Sequence, residues 1–357
     1  MVMALIAILF TLILVVGIHE AGHALAARMF HVQIKKISIG FGKPLIQWRS
    51  ASGCEWVWAM WPLGGYVQLL NSRISPVNPE EYAWCFDKKP IWKRAVILVS
   101  GALANLLTAW LAFVFVFYIG LNYRLPLVQS VQPNSIAAHA GITSGDQFIA
   151  VEGYSTSSWQ DVGMQLVILW GKKEVNLSLK RPDNQSIREL SMNLSGINFT
   201  GNERSLLSSL GIQPDLSAPV VLMQAPSLIQ AIHQANSAMG HLFYFFLMIF
   251  KQLVTGGIPF TILLGPLGLF AASVSSLMQG IGVFFYFIAS LSCAVALVNL
   301  FPVPGLDGGS LLYALIEKIR GKPISVAMEV LLHRLMVILF AVVLVNLLMN
   351  DLIRFLH

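Results

Sequence analysis

Two histidines and a glutamate stand at the end of an apolar run. The run is "MVMALIAILFTLILVVGI", and "HEAGH" follows it, His19 to His23. On an α-helix, positions i and i+4 share a face, so the imidazoles of His19 and His23 can reach one metal ion. Glu20, beside His19, can take a proton from water at that ion as a general base. Two histidines at a helix end are also satisfied by hydrogen bonds or water in many proteins. At the end of an apolar span, however, ionisable groups are costly and mark function.

A catalytic zinc ion normally has three protein ligands and one open position. The other conspicuous charge close to an apolar span is Asp307, in "ALVNLFPVPGLDGGSLLYAL". Asp307 also suits the N-cap of the helix that follows. Pro302 and Pro304 break the preceding helix and free backbone groups, which is tolerated at membrane depth where such groups line a cavity. A membrane zinc enzyme with a glutamate as third ligand would use Glu317 or Glu329. Both lie beyond the Pro/Gly break on a more polar helix, so Asp307 is preferred.

The elements that must position these groups are membrane helices. Of 357 residues, 56% are hydrophobic and 11% charged, against roughly 25% charged in a soluble domain. Four segments are long enough to span: about Val2–Met29, Ala95–Leu121, Ile281–Phe301 and Leu331–Met349. A fifth run, His241–Phe250, is too short to span comfortably and reads as an interfacial or buried helix. Residues 27–94 hold ten basic and four acidic side chains, whereas residues 122–240 hold seven and eight. The basic excess predicts that residues 27–94 and about 302–330 face the cytoplasm, with residues 122–240 and both termini outside. Spans one and three therefore end on the same side, and Asp307 falls at the depth of His19 and His23. The net charge of +6 follows from this bias and implies no nucleic acid. The N-terminus lacks the basic start of a standard signal peptide. Three scattered cysteines indicate neither a disulfide framework nor a thiolate zinc site.

Two β-rich segments complete the layout. "IKKISIGFGKPLIQW" and "CEWVWAMWPLGGYVQLL" flank "RSASG" and predict a hairpin over about 34–70 with unusually apolar faces, including Trp48, Trp56, Trp58 and Trp61. The outer segment "NSIAAHAGITSGDQFIAVEG" closely resembles a PDZ domain, a module that binds extended chains by strand addition. It could equally serve as a spacer or steric gate.

Taken together, HEAGH on the first span, the PDZ-like module, "VNLFPVPGLDGG", "SIGFGKPL…PLGGYVQLL" and "FDKKPIWKRAVILVSGALAN" resemble the site-2 protease family of intramembrane zinc metalloproteases, in its bacterial RseP type. The match covers nearly the whole chain. The resemblance implies one Zn²⁺ held by His19, His23 and Asp307, with Glu20 as the catalytic base. It implies substrate handling by Asn299, Pro302 and Pro304, and presentation of the substrate as a strand by the hairpin near Gly40 and Gly42. It further implies a multi-pass protein of the bacterial inner membrane that cuts within single-span proteins such as anti-sigma factors or remnant signal peptides. Two departures stand out: room for one PDZ-like domain where the RseP type has two, and "GALAN" (Gly101–Asn105) with Ala102 where the family has proline.

The expected architecture is a polytopic α-helical membrane protein with about four transmembrane helices, a membrane-associated β-hairpin and an inserted α+β PDZ-like domain. The parts are an N-terminal membrane region (1–121), a periplasmic PDZ-like domain (122–215), a connector with amphipathic helices (216–280) and a C-terminal membrane region (281–357). The expected partners are membrane-embedded substrates, the lipid bilayer and an extended-peptide ligand of the PDZ-like domain. The competing reading is a non-proteolytic, membrane-anchored PDZ scaffold, which would need neither Glu20 nor the HExxH spacing.

Overall fold

The computed structural model describes residues 2–51, 53–181, 186–195, 206–258, 260 and 263–356, without the side chains at 62 and 63. Parts of the expected PDZ-like domain, 182–185 and 196–205, lie outside the described residues. The chain divides into two units: Met1–Phe115 with Pro266–Leu348, and Val116–Gly265 with Met349–His357.

The first unit begins with one helical rod, Val2–Met29, made of α1 (Val2–Thr11), a π-helical stretch (Leu12–Gly17) and α2 (Ile18–Met29). π-helical turns inside α-helices are rare and recur at functional sites; here the stretch ends two residues before His19. Strands β1 (Ile34–Arg49) and β2 (Glu55–Leu69) form the expected hairpin. It is not a flat ribbon. Residues 34–39 meet 65–69 and also 55–58, while 44–49 meet 55–59. The strands therefore bend back on themselves, and the bends carry glycines with positive φ: Gly40 (+91°), Gly42 (+89°) and Gly64 (+140°). A Cβ at Gly40 would stand 2.8 Å from the Trp61 carbonyl oxygen. Ala24, Ala27, Ile34, Ile37 and Ile97 form a core that seats the base of the hairpin against α2 and the next helix, α3 (Ile91–Ile119).

The second unit opens on β3 (Leu121–Arg124), β4 (Val128–Val131), α4 (Ile136–His139), β5 (Gln147–Val151), β6 (Tyr154–Ser155), α5 (Trp159–Ile168), β7 (Val175–Lys180), β8 (Ile187–Met192), α6 (Leu206–Ser209), β9 (Ile212–Pro214) and β10 (Val220–Met223). The sheet order is β6-β5-β7-β8, with separate pairs β4–β9 and β3–β10. Strand alternation sends Val175, Leu177 and Leu179 into a core with Phe148, Leu166 and Met192. Asp146, in the expected Gly-Asp turn, is buried and accepts hydrogen bonds from Thr143 N–H and Oγ. Helix α7 (Leu228–Val254) follows. Its Phe245 and Ile249 pack with Val167, Trp170 and Ile258, and Gln252 Nε2 donates to Trp170 O.

The run His241–Phe250 is thus the second half of a 27-residue helix, and the sequence reading of a short element is corrected. The more polar "QAIHQANSAMG" before it is helical too. Among the described residues five helices are long and apolar enough to cross a membrane, by length and composition, this one being the least apolar.

Back in the first unit, α8 (Pro266–Gln279) packs on α1, where buried Thr11 Oγ1 and Ser273 Oγ lie 2.8 Å apart. Helix α9 (Ile281–Leu300) ends at Phe301–Gly305, α10 (Asp307–Arg320) begins directly afterwards, and α11 (Val326–Leu356) completes the chain. Arg94 on α3 clasps Glu317 on α10 with two hydrogen bonds of 3.0 and 2.8 Å, and Arg73 pairs with Glu329 on α11 at 3.0 Å. Bidentate guanidinium–carboxylate pairs fix orientation as well as distance.

Helix α2 approaches α3 at a glycine. A Cβ on Gly22 would stand 2.5 Å from Ser100 O and 2.8 Å from the Ala104 Cβ. Alanine ordinarily stabilises a helix interior by about 0.5–1 kcal/mol over glycine, but here it collides with backbone, and overpacking costs about 1–3 kcal/mol. Gly22→Ala should therefore lower the unfolding midpoint in detergent. Gly163→Ala, in α5 with open space around it, should raise it; equal shifts would contradict the close approach.

Candidate active site

The residues come from two helices of the first unit. His19, Glu20 and His23 are buried on α2. Asp307 is the first residue of α10; the N-cap is Leu306, and no side chain caps there. The capping role allowed from sequence is thus not the one adopted. The Asp307 carboxylate turns instead to the histidines, with Oδ2 3.2 Å from both His19 Nε2 and His23 Nε2. The two Nε2 atoms are themselves 3.2 Å apart. Among the described residues, these three form the group able to hold a metal ion.

This triangle is a test of fit. Three ligands at zinc–nitrogen or zinc–oxygen distances of about 2.0–2.1 Å in a tetrahedral set stand about 3.3–3.4 Å from one another. The observed edges of 3.2 Å match that spacing. Chemistry agrees with geometry. His23 Nδ1 lies 2.7 Å from Ile97 O, which can only accept, so Nδ1 carries the proton and Nε2 presents a lone pair. Asp307 Oδ2 is buried with no hydrogen-bond donor. Electron-pair donors thus converge on one point, an arrangement that a cation stabilises and a neutral core does not.

Around the triangle lies a cavity of about 240 Å³, lined by His19, Glu20, His23, Gly65–Val67, Leu69, Asn299, Gly305, Leu306 and Asp307 among others. Glu20 faces it from α2, and its carboxylate takes a hydrogen bond from the Val67 backbone. Strand β2 passes close by because residue 65 is glycine: a Cβ there would stand 3.0 Å from Glu20 Cγ and 2.9 Å from Val16 Cγ1.

Of the other residues singled out from sequence, Asn299 lines the cavity, with its Nδ2 donating to Val295 O at 3.0 Å. Pro302, Pro304, Gly40 and Gly42 do not line it. Gly40 and Gly42 serve the fold-back of β1, where positive φ and the crossing with Trp61 demand glycine. The hairpin segment at the cavity is Gly65–Leu69. Glu317 and Glu329, the alternative third ligands, are bound in ion pairs with Arg94 and Arg73.

Sequence reasoning gave α3 no part in the site. Ile97, Gly101 and Asn105 lie at i, i+4 and i+8 on α3, one face of the helix, and each meets the histidines. A Cβ on Gly101 would stand 2.8 Å from His19 Nε2 and closer still to His23 Nε2. The available signal was Asn105, a lone amide in an apolar span. Gly101→Ala, benign in an ordinary helix, should here push a methyl group against both imidazole Nε2 atoms. Bound zinc, measured by metal analysis of purified protein, should fall well below the wild-type level while membrane insertion persists. Wild-type zinc content in this variant would contradict the geometry.

Comparison with known proteins gives the relationship. The model of peptidase family M50 matches residues 7–343. The chain is 28% identical to the regulator of sigma-E protease RseP of Escherichia coli (strain K12), over 95% of this chain and 96% of that one. It is 26% identical to the regulator of sigma E protease of Haemophilus influenzae, again over 95% and 96%. A Pasteurella multocida protein provisionally named a zinc metalloprotease is 27% identical over the same shares. The alignment to the Escherichia coli protein runs over 433 positions, more than this chain's 357, so that relative carries residues this chain lacks. With a match over nearly its whole length, the chain belongs to peptidase family M50, the site-2 type of intramembrane zinc metalloproteases.

Proposed function

We propose that the protease holds one zinc ion through His19 Nε2, His23 Nε2 and the Asp307 carboxylate, and that Glu20 is its general base. The carrying observation is the 3.2 Å triangle of electron-pair donors. When bound, zinc supplies a Lewis acid that makes water nucleophilic near neutral pH and polarises the scissile carbonyl. The Glu20 carboxylate takes the proton of the attacking water and returns it to the departing amide nitrogen. Burial of Glu20 keeps competing water away from that transfer.

The substrate is a transmembrane segment of a single-span protein. A helical peptide bond is shielded by its own hydrogen bonds, so the segment must unwind before cleavage, and its freed backbone groups need partners in lipid. Gly65–Leu69 on β2 lies at the cavity and suits strand addition. Asn299, which also lines the cavity, retains an amide oxygen able to accept from the substrate backbone. The exposed apolar half of the hairpin, including Leu45, Ile46, Trp48 and Trp61, suits contact with lipid.

Four helices cross the bacterial cytoplasmic membrane in this reading, with the site on the cytoplasmic side as the basic residues of 27–94 require. Helix α7, with polar Gln230, His233, Gln234 and Asn236 in its first half, lies along the outer interface. The α+β module of the second unit is a PDZ-like domain on the outer side that recognises or gates substrates. The relatives' names point to control of sigma E; an anti-sigma factor or a remnant signal peptide is the corresponding substrate class. The alternative of a non-proteolytic scaffold is not favoured by membership of a peptidase family.

Glu20→Gln preserves size and hydrogen bonding but removes the proton acceptor. It should retain zinc and insert normally while cleavage of a single-span substrate falls by roughly two or more orders of magnitude. His19→Ala should lose both zinc and cleavage. Cleavage by Glu20→Gln at the wild-type rate would remove Glu20 from the mechanism. Orientation is tested by labelling single cysteines: one at Lys36 or Lys318 should react from the cytoplasmic side alone, one at Lys172 from outside alone, and labelling of Lys36 and Lys318 from opposite faces would refute a shared site.

A further inference from the structure

We propose that Asn105 is a positioning residue for the metal centre: its side-chain oxygen accepts a hydrogen bond from His19 Nδ1–H and so aims the lone pair of His19 Nε2 at the metal. The inference rests on the reading of His19 and His23 as ligands. A histidine that binds metal through Nε2 carries its proton on Nδ1, and that proton needs an acceptor. For His23 the acceptor is Ile97 O, 2.7 Å away. For His19 the neighbour is Asn105, two turns further along α3.

Asn105 is fully buried, and its Nδ2 stands 3.4 Å from His19 Nδ1 while its Oδ1 has no hydrogen-bond partner. In that orientation a donor faces the nitrogen that must itself donate, and a buried acceptor goes unused. A half-turn of the amide about Cβ–Cγ exchanges two groups of nearly equal size and removes both faults. His19 then has an oxygen behind Nδ1, as His23 does. Helix α3 backs both imidazoles at once, from a main-chain carbonyl at one end and a side-chain amide at the other, with Gly101 between them admitting the rings.

The test is zinc affinity of the purified full chain in detergent, by competition with a chelator. Asn105→Leu keeps volume and removes the acceptor; Asn105→Asp keeps an oxygen and removes the amide N–H₂ group. The expected result is a loss of about 10–100-fold in zinc affinity for Asn105→Leu and a value near or above wild type for Asn105→Asp. Should the leucine variant not fold, Asn105→Ala, which adds no bulk, carries the same expectation. Zinc affinity of Asn105→Leu or Asn105→Ala within about threefold of wild type, or an aspartate variant as weak as leucine, overturns the proposal. A buried amide that merely held helices together would not be rescued by aspartate in zinc binding. If wild-type protein takes up no zinc, the ligand assignment itself fails; if wild type binds and the leucine variant binds equally, the role of Asn105 alone fails.

Discussion

The convergence of His19, His23 and Asp307 on one point governs the first unit. Bringing a carboxylate oxygen and two imidazole nitrogens to 3.2 Å of one another in a low-dielectric setting is unfavourable unless a cation sits among them. The surrounding helices must therefore hold the groups in place whatever the occupancy. They do so through backbone approach rather than through bulk. Gly22 lets α2 lie against Ser100, Gly101 admits the imidazoles to α3, and Gly65 lets β2 pass Glu20. Small residues at helix contacts are the usual means of close packing where lipid removes the hydrophobic drive between helices.

Asp307 is held from the other end of its helix. It starts α10, and Glu317 near the end of that helix is gripped by Arg94, on the same helix as Ile97, Gly101 and Asn105. Helix α3 thus contacts both halves of the triangle, one through the histidines and one through an ion pair to the helix that Asp307 starts. The break at Phe301–Gly305 allows α10 to start at the depth of the cavity. Gly308 and Gly309 tolerate the crowding there, since a Cβ at either would collide with backbone of residues 300–304.

The hairpin has two characters. Its base is part of the protein core through Ile34, Ile37 and Cys54, and its far half exposes tryptophans and aliphatic residues. Fold-backs at Gly40, Gly42 and Gly64 convert two long strands into a curled four-segment sheet and bring residues 65–69 to the cavity. The second unit has its own core and sheet.

Sequence alone determined the chemistry. The i, i+4 spacing puts His19 and His23 on one helix face whatever the rest of the chain does, and the apolar runs with their basic flanks fix the main membrane helices. Both are local properties, written in a few consecutive residues. Tertiary structure decided which side chains complete and support the site, because these contacts join residues remote in sequence. Nothing local shows that Asp307 turns to the histidines, at 3.2 Å, rather than capping its own helix. Nothing local shows that Glu317 is spent on Arg94, that Gly40 and Gly42 bend a strand while Gly65 meets Glu20, or that Asn105 backs His19. The extent of α7 was missed for a related reason: its polar first half forms no apolar run, and its helicity is supported by packing of its second half on Val167 and Trp170.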